Sequence, residues 1–215
     1  MRLKIILLTA SIFILTGLKA NTISDSLEYR LSMVNDTAKI KMLCDLCWEY
    51  RVRSADSAIL FGNRALQLAE EINYPKGKAQ SYNDLGIVYI SRGDFPQALD
   101  YFNQSMEIRM QLGDTAGMAS LFNKIGIVHQ KQGNLKLALE NQLNALRIYE
   151  YLQQDLWIGY CLNNIAIVHQ NIGNLDKSLD YHLRALGYRI KMNDVYGEGG
   201  SYGNIGNVYF KMGDT

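Results

Sequence analysis

The stretch "NNIAIVHQNIGNLDKSL", residues 163–179, decides the fold. Its first part spaces apolar residues by three and four along one helix face, Gly173 with Asn174 breaks that helix, and a second helix opens beyond the break. The same register returns in "NKIGIVHQKQGNLKLAL" (123–139), in "NDLGIVYISRGDFPQAL" (83–99) and partly in "GNIGNVYFKMGD" (203–214), each forty residues from the next. Residues 119–158 and 159–198 share thirteen identities in forty, where ordinary composition gives roughly two or three. The chain is a repeat array, so its 215 residues are not divided as ordinary domains would be.

One unit, 79–118, shows what is repeated. Leu85, Val88 and Tyr89 form the buried stripe of a first helix, A. Gly86 lies within that stripe, where glycine costs roughly 1 kcal/mol against alanine, and its equivalents Gly126, Ala166 and Gly206 are always small. Close approach of a second helix is the packing reason this predicts. Gly93 ends helix A and Asp94 is placed to cap the next helix; the matching pairs are Gly133 with Asn134, Gly173 with Asn174, and Gly213 with Asp214. The second helix, B, aligns Ala98, Leu99, Phe102, Ser105 and Met106 on one face. Small residues recur there as Ala98, Ala138 and Ser178, and as Ser105, Ala145 and Ala185. The segment "EIRMQLGDTAGM" (107–118) reads as an extension of helix B. A hairpin of this kind cannot bury its own apolar faces, so consecutive hairpins must stack.

Helix A with Leu, Gly and Tyr near its end, a Gly-Asp or Gly-Asn turn, and Ala-Leu in helix B together resemble the tetratricopeptide repeat over about residues 38–215. The usual period is about 34 residues; the forty seen here is similar to the long-helix variety in kinesin light chain and in bacterial signalling proteins, and the proline common after helix B is missing. The resemblance implies an all-α fold, a right-handed superhelical solenoid of antiparallel helix hairpins. The hairpins are expected at about 38–71, 79–112, 119–152 and 159–192, with a lone helix A at 199–212 and a lead-in at 21–37. In the first and most divergent hairpin, Leu46, Glu49 and Tyr50 match Leu85, Val88 and Tyr89 only with a turn one residue shorter.

Apolar residues are 48% and charged residues 20% of the chain, a composition that can bury a core. Of 22 basic and 21 acidic residues, Arg2, Lys4 and Lys19 lie in the first twenty, which hold no acid. The remainder, 19 basic against 21 acidic, carries about −2 and has none of the basic clustering that nucleic-acid binding needs. Residues 1–20, "MRLKIILLTASIFILTGLKA", place Arg2 and Lys4 before an apolar stretch from Ile5 to Leu18, with Ala20 as a cleavage position. This is signal-peptide anatomy, and the stretch is short of the roughly twenty residues a bilayer requires. Export to the periplasmic or extracellular side is expected, with no membrane span in the mature part. Residues 199–215 present Ile205, Val208, Tyr209 and Met212 with no helix B to cover them. The expectation is that the natural product continues past Thr215; the other reading makes this helix the C-terminal cap.

No catalytic constellation emerges, whether phosphate loop, nucleophile elbow or carboxylate pair, and no cofactor is implied. His129 and His169 fall where Tyr89 and Tyr209 fall in sister repeats, so they are core-edge aromatic positions before they are ligands, and no metal site is expected. Cys44 and Cys47 form a Cys-x-x-Cys inside a helix, away from the helix N-terminus where a redox pair gains its low pKa; they read as packing residues, as does Cys161.

The face of helix A turned away from helix B remains. In the resembled family that concave face holds extended peptides or partner helices. By position it includes Asn83, Asn123 and Asn163, then Asp84, Lys124, Asn164 and Asn204, and one turn on Gln130, Lys131, Gln170, Asn171 and Lys211. Asparagine both donates and accepts, so such a ladder can bond the backbone of an extended peptide; equally, the asparagines can bond neighbouring helices. Ile87, Ile127, Ile167, Tyr160 and Phe210 would add selectivity. The function expected is protein or peptide binding. Two settings are open: the sensing part of a longer bacterial signalling protein with a histidine-kinase or DNA-binding output, or a self-contained exported adaptor.

Overall fold

The computed structural model describes residues 28–213. The leader at 1–20, the first part of the lead-in, and Asp214 lie outside the described residues. Residues 28–32 are helical, and beyond them run α1 (Asp36–Tyr50), α2 (Ala55–Glu71), α3 (Pro75–Arg92), α4 (Phe95–Leu112), α5 (Thr115–Lys131), α6 (Leu135–Tyr151), α7 (Asp155–Ile172), α8 (Leu175–Lys191) and α9 (Val195–Met212). Odd-numbered helices are the A members and even-numbered ones the B members of stacked hairpins, with α9 an A helix on α8. Among the described residues there is no strand.

Both kinds of turn repeat with the chain's period. Between A and B the left-handed residue is Gly93, Gly133, Gly173 and Gly213, with φ from 78° to 90°. Gly93 closes α3 by donating to Ile90 O while Asp94 N donates to Tyr89 O, the paired bonds of a Schellman stop. Between B and the next A the left-handed residue is Asn73, Gly113, Gln153 and Asn193. That second turn corrects the reading of 107–118 as one extended helix: α4 stops at Leu112, Gly113 takes φ 66°, and Asp114 caps α5 by accepting from Gly117 N at 2.9 Å. Asp94 and Asn174 cap their helices similarly, whereas Asn134 makes no side-chain cap bond.

At Gly86 and Gly126 the small residue has a different reason from the one expected. What fills the space beside Gly86 is the ring of Phe102 from α4; a Cβ on Gly86 would lie 2.5 Å from it. Gly126 makes the same room for Gln142, whose Nε2 would lie 2.8 Å from an added Cβ. Gly62, Phe102, Gln142 and His182 occupy one position of successive B helices, and the last three are wholly buried. In the second and third hairpins a large B side chain thus inserts into a notch in A. Gln142 donates from Nε2 to Asn123 O at 3.0 Å. Among the described residues neither ring nitrogen of His182 has a hydrogen-bond partner, and burial followed by the nearby Arg189 pushes its pKa down to about 4.

The remaining core follows the sequence stripes. Leu85, Val88, Ala98, Val128, Ala138 and Ala145 are fully buried. Tyr89 packs on Tyr101 at 5.4 Å, and eighty residues on His169 stacks on Tyr181 at the same distance, so this histidine does serve as a core-edge ring. On α9, Ile205 and Val208 are buried against α8, while Tyr196, Tyr202 and Phe210 are exposed.

Candidate functional site

Because every A helix turns the same face inward, four of them wall one cleft of about 890 Å³. It is bounded by α1 (Ile40, Cys44, Trp48), α3 (Gln80, Asn83, Asp84, Ile87), α5 (Ser120, Asn123, Lys124, Ile127) and Trp157 of α7, with Arg109 and Tyr149 reaching in from the B helices. Of the residues singled out from sequence, Asn83, Asn123, Lys124 and Ile127 come together here. Asn163, Asn164 and Ile167 lie further along on α7, half-buried and outside the cleft lining; Gln130, Lys131, Gln170 and Asn171 lie toward the C-terminal ends of α5 and α7, also outside it.

The asparagines bond across neighbouring A helices. Asn164 donates to Asn123 Oδ1 and Asn204 donates to Asn163 Oδ1, each at 2.9 Å and each 41 residues apart. These two rungs fix α5 to α7 and α7 to α9, leaving each carboxamide with further hydrogen-bonding capacity. At the α3–α5 seam the rung is not made. Asn83 donates instead to Asp84 Oδ1 at 2.9 Å, which also accepts from Gln80 Nε2 at 2.9 Å, and Lys124 turns to the hydroxyl and carbonyl of Ser120 on its own helix. Lys124 and Asp84 are not ion-paired among the described residues. Burial raises the pKa of Asp84 against the opposing effect of its donors. Burial, reinforced by Arg109, lowers Lys124 to about 8 despite the attraction of Asp84.

Arg109 is spoken for: it pairs with Asp114, donates from Nη2 to Gln80 Oε1 at 3.1 Å and from Nε to Ser105 Oγ at 3.3 Å. Trp48, under the guanidinium of Arg51 at 3.6 Å, and Trp157, stacked on Tyr149 at 5.9 Å, supply aromatic walls. They are the chain's two tryptophans, and that scarcity was the signal by which sequence reading could have found them; Gln80, Ser120 and Arg109 gave none. Cys44 and Cys47 are buried, and burial, then the charge of Asp84, pushes both thiols up to about 12, so they hold their protons. Among the described residues no group of three histidine, cysteine or acidic side chains is placed to hold a metal ion, and no helix is long and apolar enough to cross a membrane.

A family model described as tetratricopeptide repeat matches residues 49–111 and 117–191. The chain belongs to the tetratricopeptide repeat family, a fold that generally serves as a non-catalytic module for binding proteins or peptides. Among solved structures it is similar to BtubC from P. vanneervenii, with 18% identity, 87% of this chain and 85% of that one covered, and a TM-score of 0.68. It is also similar to a signal transduction ATPase with numerous domains from Pyrococcus horikoshii that carries a tetratricopeptide repeat sensor (14% identity, 86% and 29% covered, TM-score 0.75). Aspartyl phosphate phosphatase F from Bacillus subtilis is a third (14%, 83% and 50%, 0.71). Comparison with curated proteins gives no match.

Proposed function

We propose that this protein binds a peptide segment of a partner protein in the concave cleft, and that it is the exported sensing part of a bacterial signalling protein. The observation that carries the binding reading is the cleft itself: a polar floor of Asn83, Asp84, Ser120 and Lys124 between apolar and aromatic walls, continuous across four A helices. Such a surface gives orientation through its few polar groups and affinity through its walls. The sensing role draws support from the Pyrococcus structure, whose repeat array is described as a sensor and of which this chain spans 29%. Export draws its support from the basic, apolar and small-residue order of residues 1–20.

Selection of displayed random heptapeptides on the purified protein tests the cleft. Binding of selected peptides is expected to be lost in Ile127→Glu and kept in Gln111→Ala, which lies outside the cleft lining; peptides indifferent to Ile127→Glu overturn the reading. Fusing residues 1–60 to a phosphatase active only outside the cytoplasm tests export, and an inactive fusion rejects it.

A further inference from the structure

Of the four seams between A helices, two carry a carboxamide rung; the α1–α3 seam has Leu43 and Cys44 in place of the asparagines, and the α3–α5 seam has the right row of residues but leaves its rung open, inside the cleft. Where α7 meets α5 and where α9 meets α7, a side chain from the later helix donates to an asparagine 41 residues earlier. The same step at the α3–α5 seam joins Lys124 to Asn83, and that bond is absent: Asn83 is drawn to Asp84, and Lys124 to Ser120. Two of the ammonium's three donors go to Ser120, which leaves one for the cleft. Opposite stands Asp84, held by two neutral amides and not by a cation.

We propose that this open rung is a subsite for the side-chain carboxamide of an asparagine or glutamine in the bound peptide. The proposal rests on the cleft reading above and gives that site its selectivity. Three observations carry it. First, the protein's own rungs at the two equivalent seams are carboxamide to carboxamide. Second, the floor is electrically balanced: Lys124 opposes Asp84, and Arg109 is neutralised by Asp114. A guest carboxylate would gain Lys124 but meet the carboxylate of Asp84, and a guest cation the reverse; a carboxamide presents C=O to one and N–H to the other. Third, Asn83 and Asp84 are buried, so a backbone running along the rim reaches them only through a side chain. The lowered pKa of Lys124 agrees with an ammonium that has no counter-ion of its own.

The decisive variant is Lys124→Asn, which gives this seam the residue its two sister seams use and should close the rung with the protein's own carboxamide. Heptapeptides selected on the wild-type chain are expected to be enriched in asparagine or glutamine at one position. Changing that residue to aspartate or glutamate should weaken binding about tenfold or more, and Lys124→Asn, folded by circular dichroism, should lose the preference. Enrichment of acidic residues that depends on Lys124 overturns the proposal. Peptides that bind Lys124→Asn as well as wild type overturn it while leaving the cleft reading intact. If no selected peptide responds to Ile127→Glu, the cleft reading fails and takes the subsite with it.

Discussion

Three of the four joints between hairpins come in two chemistries built on one plan; the first joint, with Ala69, Tyr74 and Gly77 at the same positions, follows neither. Where α4 passes to α5, Arg109 pairs with the helix cap Asp114, and Gly117 leaves the room they occupy; a Cβ there would overlap both side chains. Where α8 passes to α9, Arg189, Asp194 and Gly197 stand at the same three positions, with Arg189 donating to Gly197 O and to Ser201 Oγ at 3.0 Å. Between them, where α6 passes to α7, all three change together. Tyr149 replaces the arginine, Gln154 the aspartate and Trp157 the glycine, and the two rings stack with an interplanar angle of 19°. An arginine needs an empty position beside it to reach its partners, Asp114 in the one joint and Gly197 O with Ser201 in the other, and a tyrosine needs a ring to cover it. The difference teaches that across these three joints the unit of exchange is the triplet and not the single residue.

Breaking the aromatic joint should cost most. Tyr149 is buried, and Tyr149→Ala is expected to destabilise by about 3 kcal/mol, read as a lower midpoint in urea. Gly117→Trp alone forces an indole onto the ion pair and should cost about 2 kcal/mol. Adding Arg109→Tyr, which completes the aromatic pair, should restore about 1 kcal/mol of that in a double-mutant cycle; strict additivity would mean that the residues do not act together. Arg109→Met removes a half-buried pair and should cost about 1–2 kcal/mol at low salt, a cost that shrinks in 1 M salt, whereas that of Tyr149→Ala does not. The smallest effect separates the fourth hairpin by pH. Because the pKa of His182 is lowered in the folded chain, to about 4 from an ordinary 6.5, the unfolded chain binds the extra proton, and stability falls as pH drops from 6.5 toward 4. His182→Phe, the residue of the second hairpin at that position, should remove about 1 kcal/mol of this loss at pH 5.

Much of this was legible because each local signal was printed several times. A single Gly86 is ambiguous; Gly86, Gly126, Ala166 and Gly206 at one spacing are not. The A-to-B turn showed itself through glycine in every copy after the first, while the B-to-A turn stayed hidden, because its left-handed residue is Asn73, Gly113, Gln153 and Asn193, and glutamine is no marker of that conformation. The reason for the small residues was misread, since a side chain inserted from the partner helix leaves the same trace in sequence as two close backbones. The rows of the cleft could be listed from the period of forty. Their bonds could not, because stacking shifts each helix by one residue, so Asn123 meets Asn164 and not Asn163. Lys124 stood in the right row, but that its rung is open is a fact of geometry alone.

The burial of Cys44 and Cys47 sets an order on the chemistry of this chain. Before the first hairpin closes they are ordinary thiols three residues apart; once α2 and α3 cover them, both stay protonated, and Cys47 is wholly buried while Cys44 meets only the cleft. The pair is thereby more open to oxidation in the nascent chain than in the finished array, where the thiolate is disfavoured.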